Sequence, residues 1–196
     1  VNHFGWPRVL LGGCAAILLL IAGCGSSSNA LGPGQGGFNV ESAVEPVGEP
    51  YYAGFAGFTV VGPHPVHVLR ATVLGVPPGL TVVGVYAVSM KESDNPGQNG
   101  HYIGGGDEAH VKADYPRLRL HPVTDAVIPP GTGEGDWYLL VVLRSNRPGT
   151  FVTSGLRVEY ESNGETGSET FPQTVTVHSA VGATFAPFAS PRPSAG

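Results

Sequence analysis

The chain has 196 residues, a formal net charge of −5, 30 glycines, 18 prolines and 41% hydrophobic residues. That length holds one domain with appendages, and the apolar fraction is large enough to bury a core. The acidic balance, with no cluster of Lys or Arg on which a nucleic-acid backbone could release counterions, excludes a nucleic-acid partner.

Val1–Pro7, followed by Arg8, forms a short lead with one fixed side-chain charge. Val9–Ala22 is an apolar run of about 14 residues. A membrane-spanning helix needs roughly 20, so the run has the length of the apolar stretch in a secretory leader. It closes on small residues and a thiol, Ile21-Ala22-Gly23-Cys24. This pattern resembles the lipobox of bacterial lipoproteins: an aliphatic residue, two small residues and a cysteine. The resemblance implies cleavage between Gly23 and Cys24 and acylation of the Cys24 sulfur with palmitate-type chains. It also implies a lipid-anchored protein on the extracytoplasmic face of a cell membrane. Each buried acyl methylene contributes about 0.8 kcal/mol, and two chains anchor stably where one does not. Leu11-Gly12-Gly13-Cys14 also fits the pattern, but cleavage there would leave the apolar Ala15–Ala22 run where a polar tether is expected.

With residues 1–23 as signal peptide, residues 24–37 read as a flexible tether, too rich in Gly and Ser to hold a fold. No cysteine follows Cys24, so the folded part has neither a disulfide nor a catalytic thiol.

Residues 38–179 read as an all-β domain. No segment shows a helical period of apolar residues with caps, whereas short apolar or alternating runs separated by Gly-Pro turns recur throughout. Tyr51–Val61 is aromatic and glycine-rich, and Val66–Leu74 and Leu80–Met90 follow it. Arg117–His121 alternates, with Leu118 and Leu120 to one side, and Ala126–Ile128 is a short strand. Trp137–Leu143 is a continuous apolar run, predicted as the central strand. Leu156–Tyr160 alternates strictly, Asn163-Gly164 signals a turn with a long loop running on to Thr174, and Thr174–His178 alternates again. Seven or eight strands with short connections predict an antiparallel β-sandwich, similar in architecture to immunoglobulin or fibronectin domains. Residues 180–196 read as a disordered tail.

Six histidines follow Cys24. His64 and His67 form the tightest pair, although three residues apart on a strand they face opposite ways. His101 and His110 fall in one long loop beside the paired carboxylates Asp107 and Glu108. These four histidines are the candidate ligands for zinc or copper in a metal-handling envelope protein. The other reading of them is solvated loop and edge histidines.

Tyr51, Tyr52, Phe55 and Phe58 are either a core strand or an exposed platform for sugars or peptides. There is no G-x-S-x-G elbow, and the paired carboxylates lie in hydrophilic stretches with no apolar neighbour to raise a pKa. The expectation is therefore a non-enzymatic binding or structural module without a cofactor, engaging an envelope protein or glycan.

Overall fold

The computed structural model describes residues 30–33, 39–92, 106–133 and 136–185. Their elements, in chain order, are β1 (Leu31–Pro33), β2 (Val40–Pro46), β3 (Pro50–Val60), β4 (Val66–Leu74) and β5 (Leu80–Ser89), then the helix α1 (Glu108–Asp114). There follow β6 (His121–Pro122), a 3-10 turn over Val123–Asp125, β7 (Val127–Ile128), β8 (Trp137–Ser145), β9 (Gly149–Val152), β10 (Gly155–Ser162), β11 (Glu165–Phe171) and β12 (Val175–Ala180). Eight of the strands have six or more residues. The number equals the expected seven or eight, but β2 and β11 enter it unforeseen, while Arg117–His121 and Ala126–Ile128 shrink to the two-residue β6 and β7. The other four are short additions.

The strands form an antiparallel β-sandwich. One sheet runs β1-β3-β8-β5-β6, a second β11-β10-β4-β7 and a third β2-β12-β9. The pairing of β2 with β12 is the one parallel pair among the described strands.

WYLLVVL is central because it can bury both faces. β8 sits between β3 and β5. Leu139, Val141 and Leu143 enter the core between the sheets, while Leu140 points to the opposite side. There it meets Val88, Val111 and Tyr115, so α1 roofs the outer face of the five-stranded sheet. Period-2 geometry alone sends alternate side chains to the two layers. A strand apolar at every position is therefore suited only to a place covered on both sides.

The remaining expectations divide by physical cause. β10 alternates as expected, with Leu156, Val158 and Tyr160 buried. Asn163 and Gly164 take φ of 53° and 77°, the positive values a two-residue hairpin needs, and Ser162 pairs directly with Glu165. The sequence reading placed a loop after this turn. Instead β11 starts at once, unseen because ETGSETF carries only one large apolar residue and lies at a sheet edge, where polar residues suffice.

Arg117–Leu120 is not a strand, and only His121 and Pro122 pair, with Ala87 and Tyr86. Leu118 and Leu120 still share a face, packing on the cluster under α1. That helix was missed because two turns are too short for a 3.6 period to show.

Both domain limits move. Leu31–Pro33 lies inside the stretch read as tether, yet it pairs with Val60, Thr59 and Phe58 of β3, and Leu31 is only 1% exposed. At the other end, Ala180 closes β12 and Phe185, within the expected tail, packs against the core. Among the described residues no helix is long and apolar enough to cross a membrane.

Replacing Leu31 by Ala should therefore cost about 2 kcal/mol or more, as for other fully buried leucines. Urea unfolding measures this. A cost near zero would mean that β1 is dispensable to the body.

Candidate functional site

The candidate site lies at the end of the sandwich where β2 and β12 finish side by side, Pro46 opposite Ala180 and Glu45 opposite Ser179. After β2 the chain turns through Gly48, at φ of 91°, and re-enters as β3. There the Tyr52 N–H donates to the Gly106 carbonyl at 2.8 Å, and the Gly106 N–H returns a bond at 3.3 Å. This bridge delivers Asp107 to the start of α1. The Asp107 Oδ1 caps the helix by accepting from the His110 N–H at 2.8 Å and also meets the His110 Nδ1 at 2.6 Å. An ionised carboxylate can only accept, so Nδ1 carries the proton and Nε2 is left as the basic nitrogen.

Glu49, Pro50, Tyr52, Asp107, Glu108 and Ala109 line an open groove of about 220 Å³ beside this bridge. The Tyr52 hydroxyl donates to Glu108 at 3.4 Å, and Glu108 pairs one turn on with Lys112. That pairing holds the Glu108 carboxyl below its ordinary range. Burial works against the charge on Asp107, but the bonds from the His110 backbone and ring outweigh it and lower its pKa. The Tyr52 phenol moves up, through burial first and then the neighbouring Glu108 charge.

Glu45 stands apart from these exposed acids. It is 4% exposed, and its Oε2 has no hydrogen-bond partner among the described residues. Burial pushes its carboxyl up to about 7, the Asp107 charge adds to the rise, and His110 partly offsets it. Tyr51, on β3, is raised in turn by its own burial and then by Glu45. Beyond β12, the Phe185 ring lies 6.1 Å from that of His110, tilted by 47°. The end of the described chain therefore lies beside His110.

The sequence-predicted residues do not gather here as a set. Gly23, Cys24 and His101 lie outside the described residues. His64 sits exposed in the turn after β3, and His67 is exposed on β4, opposite Val127 and Glu161. His110 belongs to α1, on the other sheet. Among the described residues no group of three or more His, Cys, Asp or Glu could hold a metal ion.

Two other histidines each meet a carboxylate. His121 meets Glu92 at 3.0 Å. His178 lies between the Thr150 hydroxyl at 2.9 Å and Glu41 at 2.8 Å. This hydroxyl–imidazole–carboxylate row stitches the outer face of three strands. Its Glu41 side chain is 73% exposed, where water competes for every contact.

Of the aromatic group, Tyr51 and Phe58 are core and Tyr52 floors the groove. The Phe55 side chain lies outside what is described.

Sequence reasoning read Asp107 and Glu108 as solvated and passed over Glu45. Asp-Glu-Ala-His is legible as an N-cap with an acidic first turn. Nothing in SAVEP marks Glu45 as buried.

No family model and no curated protein matches this chain. Among solved structures, the Vibrio cholerae VesB protease is similar over 76% of this chain at 11% identity, with a TM-score of 0.35. This chain spans 32% of that protease chain, about a third of its length. A likeness this remote carries no argument.

The buried carboxyl makes stability depend on pH. Its folded pKa lies above the ordinary 4.5, so between that value and about 7 the folded state holds more protons than the unfolded chain. Stability therefore falls as pH rises through this window. At about 1.4 kcal/mol per unit, the loss approaches about 3 kcal/mol. Urea midpoints measured across the window should fall with pH for the parent chain, and this fall should flatten in Glu45→Gln. Equal slopes in the two proteins would refute the assignment.

Proposed function

We propose that this chain is a non-enzymatic binding module of a bacterial cell envelope, carried outside the membrane on an acylated Cys24. Its contact surface is the Tyr52 groove, and its partner presents a cationic segment. The observation that carries the reading is the groove lining: three carboxylates, Glu49, Asp107 and Glu108, around an aromatic ring and a proline, with no Lys or Arg among the lining residues.

Carboxylates beside a tyrosine face suit an ammonium or guanidinium group, which gains both charge-assisted hydrogen bonds and cation–π attraction. Lys112 offsets only one of the three acids. An open, solvated groove of this kind confers orientation and rate of encounter more than tight affinity.

The anchor rests on the run Ile21-Ala22-Gly23-Cys24 and on the short apolar segment before it. Replacing Cys24 by Ala should move the protein from the membrane fraction to the soluble fraction of its own cell. Unchanged fractionation would remove the anchor from the reading.

The groove is tested separately. A photoreactive benzoylphenylalanine at the exposed groove residue Ala109 should trap one reproducible protein in cells. The adduct should weaken when Glu49 and Glu108 are both changed to Gln, and an adduct indifferent to those charges would argue against the groove.

A further inference from the structure

We propose that Glu45 is the proton sensor of the Tyr52 groove, so that a lysine or arginine side chain of a partner binds more tightly once Glu45 has lost its proton. This deepens the reading of the groove as a cation-binding surface and rests on it.

Three observations lead here. First, Glu45 is a carboxyl group more than nine-tenths buried, with one oxygen unmatched among the described residues. Such a group is costly to leave charged and unpaired. Second, among the described residues, the polar and charged groups placed around it include no Lys or Arg. From β12 it faces Ser179, whose hydroxyl is bonded to that of Ser145 on β8. Tyr51 of β3 and, at the start of α1, Asp107 and His110 lie within electrostatic reach of it. The His110 ring is already held by Asp107. Third, Asp107 is shared, because it lines the groove and also acts electrostatically on Glu45. The missing positive charge can therefore arrive through the groove.

The linkage is reciprocal. A cation seated against Asp107 favours the ionised form of Glu45, and ionised Glu45 adds attraction for that cation. Near neutrality the carboxyl is divided between its two forms, which is where such coupling has effect. Glu45 itself needs no access to the partner, since it acts through the field across Asp107. It is a positioning charge rather than a contact residue.

The test uses the full chain and a fluorescein-labelled tetralysine peptide as probe, followed by fluorescence anisotropy at low salt near pH 5.5 and pH 8. The dissociation constant of the parent should fall about fivefold or more between the two, the lower range of typical coupling between sites. Glu45→Gln, isosteric and checked for folding by circular dichroism, should bind with a much smaller pH dependence. Asp125→Asn, which removes one exposed charge from the 3-10 turn, should keep the parent's dependence. Asp125→Asn controls for the loss of an acidic charge as such, so the difference between the two variants reads Glu45.

Binding with equal affinity at both pH values, or a full pH dependence retained in Glu45→Gln, would overturn the sensor and leave the groove standing. No binding at either pH, or binding unaffected when Glu49 and Glu108 are both Gln, would overturn the groove and the sensor together.

Discussion

The architecture depends on one strand being apolar on both faces. β8 can exist as a strand only if something covers each of its sides, because leaving either face in water would forfeit about 25 cal/mol for every square ångström of apolar surface. The sandwich covers one side through Leu139, Val141 and Leu143. The other side requires a second layer, and the segment after β5 supplies it with Val111, Tyr115, Leu118 and Leu120 over Leu140 and Val88. Covering β8 is thus what draws residues 106–120 onto the sheet. The Tyr52–Gly106 bridge and the Asp107 cap follow from that docking.

The candidate site is a by-product of the same demand. Docking α1 brings the acids of its first turn beside the start of β3, and the end of β2, paired with β12, turns directly into that start. One carboxylate then caps the helix, another is tied to Lys112, and Glu45 is enclosed. Exposed acids of the first kind contribute little to stability. The enclosed one matters because its charge state changes the energy of the fold. On the proposed reading of the groove, stability and recognition are coupled through a single carboxyl.

The sequence disclosed most where a residue's local pattern and its tertiary place agree. The alternation of β10, the continuous run of β8 and the Asn163-Gly164 turn each carry their own physical signature, and the structure realises all three. It disclosed least where neighbours decide. β11 is a strand because β10 offers it a free edge, not because ETGSETF favours one. Leu31 is core because β3 lies beside it, although its flanking glycines read as tether. Glu45 is buried because two strands distant in sequence end together there, and no spacing rule reports that. Of the site, Tyr52 was within reach as one of an aromatic group, Asp107 and Glu108 as paired carboxylates and His110 as a loop histidine, but Glu45 and Glu49 were not.

The parallel pair β2–β12 joins the first long strand to the last. His178 donates its backbone N–H to the Ser42 hydroxyl across 136 residues of chain. A polypeptide emerging from its N-terminus must carry β2 without this neighbour until the described body has been made through β11. Contacts so far apart in sequence also close slowly. The described body is therefore closed by β12, and a chain cut short before Val175 would leave Val40 and its neighbours without their partner strand.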